Sequence, residues 1–203
     1  SQGAREIFEL MPHEYVKSAD LAGLQARWEN DPEGNHRVYG VLAHVEDMVA
    51  LKDGGENSSV DKKDYYSHPE KYVPIFHESV IPYTTVLVTG HYWDYRFPRL
   101  LTKEQVKSLR STGNKKLRCI SDVTCDVQGS VELLSHSTYI EKPFFSYLPE
   151  QDKDTDEIHE DGVLMCGVDI LPSELPRDAT THFGDALLPL LPALLDYPGS
   201  DPD

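Results

Sequence analysis

The sequence predicts an α/β chain organised on a doubly wound parallel sheet, and three stretches carry that expectation. "TTVLVTGHYW" (residues 84–93), "KLRCISDVTCD" (116–126) and "GVLMCGVDIL" (162–171) are near-continuous apolar, β-branched runs. Such runs belong to strands covered on both faces, whereas a half-exposed strand alternates. Helical patterns stand after the first and the third of them, as parallel crossovers require. Each run also ends on polar or small groups, "GHYW", "SDVT" and "VDIL". In an open α/β sheet the carboxyl ends of the strands share one edge, and ligands bind there.

The remaining elements follow in chain order. In "SQGAREIFELM" the residues Ala4, Ile7, Phe8 and Met11 form one apolar helical stripe, opened by the small-residue turn Ser1-Gln2-Gly3. A strand should precede that turn in a βαβ unit. The expectation is therefore a chain cut inside a larger protein, with the sheet truncated at its N-terminal strand. "HEYVK" reads as a short strand and "SADLAGLQARW" as a helix capped by Ser18. "NDPEGN" is a turn cluster. "RVYGVLAHVEDMVAL" is ambiguous, its β-branched start favouring a strand near 37–42. The polar, glycine-rich segment 52–72 reads as a surface insertion with a short helix near "HPEKY". "PRLLTKEQVKSLRSTG" is a helix opened by Thr102 with Gln105 three residues on, the capping-box spacing.

Between the second and third apolar runs, 129–161 reads as an irregular excursion followed by an acidic solvated loop over 149–161. The closing helix places Ala179, Phe183, Ala186, Leu187 and Leu190 on one face. Pro176 suits its first turn, while Pro189 and Pro192 disrupt its far end. The expected organisation is one dinucleotide-binding part over 1–193 and an exit linker over 194–203.

Composition narrows the function. Charged residues make up 27% and the net charge is −16. That balance argues against a nucleic-acid surface or an anionic membrane, though a local basic group can still hold an anionic ligand. No run approaches the roughly 18 apolar residues of a membrane span, and no secretory signal is visible. Cys119, Cys125 and Cys166 lack the close pairing of a zinc site and read as reduced thiols. His44, His68 and His77 have no ligand spacing, so no metal is expected. No Ser/His/Asp nucleophile motif, H-E-x-x-H or P-loop appears, which leaves a hydrolase unsupported. His182, one turn after Asp178, reads as structural or supporting.

Tyr92, Asp122, Thr124 and Asp169 stand at the three strand ends. Each acid has two readings, a cap in a turn or a ligand-facing carboxylate. Their convergence, beside a helix opened at Gly3 whose free amides would suit a pyrophosphate, favours binding.

The blocks "SQGAREIFELMPHEYV", "IPYTTVLVTGHYW", "PRLLTKEQ", "ISDVTCDVQGSVELL", "IEKPFF" and "GVDILPSELPRDATTHFGDALLP" also resemble, in order and over nearly the whole chain, the lysine–ketoglutarate reductase region of bifunctional α-aminoadipic semialdehyde synthases. That group is similar to the saccharopine and alanine dehydrogenases. The resemblance implies two Rossmann-like domains with an active site between them. It implies condensation of lysine with 2-oxoglutarate and reduction of the imine to saccharopine by a nicotinamide nucleotide. It makes Gly3 the tail of the glycine-rich dinucleotide loop and puts Tyr92, Ser121, Asp122, Val123 and Thr124 along the nucleotide. Val168, Asp169, Ile170 and Leu171 then lie near the nicotinamide, with Asp169 facing the substrate cleft. The family's proton-transfer lysine and histidine lie in an N-terminal domain outside this chain. No acid or base is therefore expected here, and the isolated chain is expected to be inactive.

For the cofactor, NAD-preferring sites place an acid after the second strand. Lys17 and Ser18 stand there instead, groups suited to a 2′-phosphate, so NADP is expected, with NAD possible. A second, saccharopine dehydrogenase domain would follow the exit linker. The family implies a mitochondrial matrix location in animals and a cytoplasmic one in plants. The alternatives are an NAD-dependent, lysine-forming saccharopine dehydrogenase or related enzyme, and a non-catalytic regulatory remnant that binds a nucleotide or a protein.

Overall fold

In the computed structural model the described residues are 2–31, 37–54 and 59–195. They divide into two compact units, the first ending at Asp169 and the second starting at Ile170.

The first unit is organised by a five-stranded sheet. The three apolar runs supply β5 (Val86–Thr89), β6 (Cys119–Asp122) and β9 (Val163–Cys166), adjacent and parallel as expected. Their register pairs Leu87 with Ile120 and Ile120 with Met165. These residues point into one buried cluster, which also holds Leu101, Val106, Leu117, Leu133, Leu134 and Tyr147. Helix α6 (Lys103–Ser111) crosses from β5 to β6 and buries Val106. Its capping box forms as the spacing predicted: the Thr102 hydroxyl accepts from the Gln105 amide at 3.2 Å, and the Gln105 side chain accepts from the Thr102 amide at 2.8 Å.

The sheet is mixed rather than wholly parallel, with order β5-β6-β9-β7-β8. β7 (Phe144–Leu148) and β8 (Lys153–Thr155) form an antiparallel hairpin on its far side. This corrects two expectations. The excursion contains β7, whose Phe145 and Tyr147 are fully buried, an apolar run set off by Pro143 and Pro149. The acidic loop contains β8, which the sequence hides because an outermost strand pairs through its backbone and keeps charged side chains in water. With its parallel centre, the arrangement is α/β and fits a Rossmann-like fold.

A second, two-stranded parallel sheet pairs β1 (His13–Tyr15) with β2 (Val38–Gly40). Between them α2 (Leu21–Asn30) buries Leu21 and Leu24. Ser18 does not cap it. A 3-10 turn (Ser18–Asp20) intervenes, and the Ser18 hydroxyl donates to the Asp47 carboxylate. Helix α1 (Gln2–Phe8) buries nothing, and Ile7 on its apolar stripe is 66% exposed. The Phe8 ring covers Gly40, where a Cβ would stand 2.6 Å from it.

Helix α3 (Val45–Met48) leads to β3 (Val49–Leu51), which pairs antiparallel with β4 (Tyr72–Pro74). The expected surface insertion at 52–72 is therefore corrected at its far end, where Pro69 and Tyr72 are buried. Its helix α4 (Lys62–Ser67) precedes a 3-10 turn at "PEK", and the Tyr72 hydroxyl donates to Asp64 at 2.9 Å. Helix α5 (Phe76–Ser79) then buries Phe76.

The second unit is helical: α7 (Leu171–Glu174), α8 (Pro176–Leu187), a 3-10 turn (Leu188–Leu190) and α9 (Leu191–Leu195). Pro176 occupies the first position of α8, and Pro189 falls where α8 gives way to the 3-10 turn. No residue of α8 is buried. Ser1, most of the turn cluster at 30–35 and most of the exit linker lie outside the described residues.

Candidate functional site

Parallel registration sets the site. Thr89 lies beside Asp122, and Ser121 beside Cys166, so β5, β6 and β9 release their chains at the same sheet edge. The three exits are 90–93, 123–126 and 167–169.

At the centre is Asp122, only 2% exposed. One carboxylate oxygen accepts from the Thr124 hydroxyl at 2.6 Å and the Thr124 amide at 3.2 Å. The other is buried with no hydrogen-bond partner among the described residues. Burial pushes this carboxyl above its ordinary value, against the opposing pull of its bonds to Thr124 and Cys125, while nearby Asp126 pushes the same way as burial. A buried, half-satisfied carboxylate is costly, and such groups concentrate at functional sites.

The second and third exits are tied together. Cys125, in the left-handed region at φ 52°, donates its thiol to the Gly167 carbonyl at 3.1 Å. Burial and then the charges of Asp169, Asp122 and Asp126 raise that thiol to about 11. Asp169 is thus within electrostatic reach of Cys125 at the second exit, and this part of the edge is acidic. Buried Thr138 clamps the end of β9: its amide donates to the Gly167 carbonyl at 2.7 Å and its hydroxyl accepts from the Gly167 amide at 3.2 Å. A Cβ on Gly167 would stand 2.5 Å from Leu134, which explains glycine there.

The first exit is pinned by His91, whose ring nitrogens bond the Thr89 hydroxyl at 3.0 Å and the Ser130 hydroxyl at 2.9 Å. Burial lowers this imidazole below its ordinary value, opposed by Asp122 and Asp126. Tyr92 follows, 76% exposed, with its hydroxyl donating to Asp94 at 3.0 Å. His91 and Tyr92 border a cleft of about 230 Å³ that is also lined by His44, Tyr65, Trp93 and Arg99. The Arg99 guanidinium lies 5.3 Å above the Trp93 ring and donates to the Gly129 carbonyl at 2.6 Å.

Of the residues singled out from sequence, Ser121, Asp122, Val123, Thr124, Val168 and Asp169 gather at β6 and β9. Tyr92 stands on the neighbouring exit with its hydroxyl engaged inside its own loop. Gly3 and Lys17 are exposed and belong to the β1–β2 layer, Gly3 within α1 and Lys17 after β1. Ser18, the other group considered for a 2′-phosphate, is held by Asp47. Ile170 and Leu171 fall in the second unit, Ile170 in the left-handed region at φ 52°. Sequence reasoning missed His91, Ser130 and Thr138. His91 stood in the quoted "GHYW" strand end, but a histidine alone does not announce two hydroxyl partners. Among the described residues no group of three or more His, Cys, Asp or Glu is placed to hold a metal. Among the described residues no helix is long and apolar enough to cross a membrane.

The site offers a free acceptor oxygen, hydroxyls and the apolar Val123 and Val168, without a lysine or arginine among its three exits. It suits neutral donors such as a ribose hydroxyl or a carboxamide better than a bare phosphate.

No protein-family model matches the chain. Among curated proteins it is 42% identical over 193 residues to the α-aminoadipic semialdehyde synthase of Arabidopsis thaliana, covering 92% of this chain and 18% of that protein. It is 36% identical over 210 residues to the mitochondrial enzyme of that name from Bos taurus, covering 96% and 22%. The counterpart from Rattus norvegicus is 35% identical over 217 residues, covering 100% and 22%. The chain is a relative of one region of these synthases. It spans about a fifth of their length, and the synthase-like region takes in the whole five-stranded sheet and its three exits.

Proposed function

We propose that the chain forms most of the nicotinamide-nucleotide-binding domain of a lysine-degrading reductase, which joins L-lysine to 2-oxoglutarate and reduces the imine to saccharopine with NADPH. The observation that carries this reading is the convergence of three parallel strand ends on the half-satisfied Asp122, in a chain similar throughout to the semialdehyde synthases. The nucleotide, when bound, supplies the hydride for the imine carbon. The chain's own residues bind and orient. Asp122 and Thr124 meet ribose or carboxamide donors, Val123 and Val168 exclude water beside the ring, and Asp169 faces the amine-bearing substrate. Lys17 takes the 2′-phosphate. Ile170 and Leu171 continue the loop from β9, and Gly3 and Tyr92 flank the nucleotide.

The proton-transferring lysine and histidine belong to a preceding domain of the longer protein, and a saccharopine dehydrogenase domain follows. The animal relatives are named mitochondrial, which supports a matrix location should the source be an animal.

Turnover of NADPH against NADH, measured in the longer protein with lysine and 2-oxoglutarate, tests the proposal. NADPH should be favoured, and Lys17→Ala should erase that preference. Equal efficiency, or an NADH preference that survives Lys17→Ala, would instead support an NAD-dependent dehydrogenase.

A further inference from the structure

The chains leaving β5 and β6 are tied to each other at two points. His91, the second residue after β5, bonds the Thr89 hydroxyl through Nδ1 at 3.0 Å and the Ser130 hydroxyl through Nε2 at 2.9 Å. Arg99 donates to the carbonyls of Gln128 and Gly129. The Gly129 amide in turn donates to the Asp126 carbonyl at 2.7 Å, closing the turn between the second exit and Ser130. Thr89 and Ser130 are both buried, so the half-buried His91 ring links two fixed hydroxyls.

The charges around this link are unbalanced. Asp122 ends β6, and Asp126 and Asp169 stand on the second and third exits. Within 90–93, 123–126 and 167–169, His91 is the one residue able to carry a positive charge. Asp122 and Asp126 favour its imidazolium, while burial disfavours it more strongly. On its other side the ring borders the cleft lined by His44, Glu46, Lys62, Tyr65, Tyr92 and Arg99. Of the two permanent cations there, Arg99 is committed to Gln128, Gly129 and the Trp93 ring, and Lys62 stands on α4. The hydrogen bonds of His91 accept either state of the ring. A neutral imidazole donates one bond and accepts the other, an imidazolium donates both, and each hydroxyl oxygen can accept.

A dinucleotide laid along these exits brings the negative charge of its pyrophosphate to an edge that already holds carboxylates. We propose that His91 is the positioning residue of this edge and takes up a proton from solvent as the nucleotide binds. The imidazolium offsets the added charge and still holds Thr89 and Ser130, so the first two exits keep their spacing. The inference rests on the functional proposal and adds to it a proton bound together with the nucleotide. Its sign follows from linkage. The bound anion strengthens the ring's hold on its proton, so nucleotide affinity is greatest at low pH. It falls, by up to about tenfold per pH unit, as pH rises from the titration of the free ring through that of the bound one.

Titration calorimetry of the longer protein with NADPH, near neutral pH in buffers of low and high ionisation enthalpy, counts the protons taken up. The 2′-phosphate titrates in the same range, so the reading is the difference between the native protein and His91→Gln, in which its share cancels. Glutamine keeps a partner for both hydroxyls and cannot take the proton. The native protein should take up roughly 0.3–1 proton more per nucleotide. Equal uptake in the two proteins overturns the inference. Uptake lost in Asp122→Asn or His44→Gln but kept in His91→Gln assigns the proton elsewhere and also overturns it. Should His91→Gln fail to fold, nuclear magnetic resonance of the histidine rings in the native protein decides, and a His91 ring that stays neutral in the complex overturns the inference. Failure of the native protein to bind NADPH overturns the functional proposal and this one together, whereas binding without the difference overturns this one alone.

Discussion

The two faces of the five-stranded sheet are filled unequally. Leu87, Ile120, Met165 and Phe145 lie in register on one face, and all are buried. Val88, Ser121, Cys166 and Phe144 lie in register on the other, where none is buried and Phe144 and Val88 are 38% and 49% exposed. Yet the strands read as apolar on both sides. The sequence prepares both faces for burial, and among the described residues of the first unit only one of them is filled. The site belongs to the filled face: Thr89 and Asp122 share the side of Leu87 and Ile120, which explains how a carboxylate came to be buried there.

The largest expected effect breaks the comparison at its strong side. Ile120→Ala, at a fully buried position, should lower stability by about 2–5 kcal/mol in urea unfolding. Val88→Ala serves as the probe of the other face. A loss under about 1 kcal/mol means that face stays open, and a loss nearer that of Ile120→Ala in the longer protein means it is covered. Gly167→Ala comes next, because the added methyl meets Leu134 and overpacking costs about 1–3 kcal/mol. It should also displace the Cys125 and Thr138 contacts, visible as weaker nucleotide binding. Thr102→Ala removes one bond of the capping box and should cost about 1 kcal/mol.

The smallest effect is a pH dependence. The folded state holds the His91 imidazole below its ordinary 6.5. Folding then favours the neutral ring, so stability is complete above that value and declines as pH falls through 6.5 toward the lowered one. In His91→Gln that part of the acid loss should be absent, as read from unfolding midpoints across the window. An unchanged profile would mean that the ring is not in the buried pin described.

How much was legible depended on which interactions stand close in the chain. The three core strands, the Thr102–Gln105 box and Pro176 are local patterns, and each formed where the sequence put it. β8 was invisible because its stability comes from the backbone of β7, with no apolar side chain to advertise it. Tyr72 is buried although it closes a polar, glycine-rich stretch, because its cover comes from residues distant in the chain rather than from its neighbours. Asp122 was legible as a strand-end acid, but its orphaned oxygen was not, since burial depends on Leu87, Ile120 and the chain packed over them. His91 shows the same limit: Thr89 is two residues away and Ser130 is 39.

The central claim is that a nicotinamide nucleotide lies along the ends of β5, β6 and β9. The dissociation constant for NADPH of the longer protein carrying Val123→Trp tests it most directly, because Val123 is 39% exposed at the middle exit and a bulky ring there obstructs the edge without entering the core. The account predicts binding weakened at least about tenfold, a loss of about 1.4 kcal/mol. Affinity within about twofold of the native protein, with the fold intact, would contradict it.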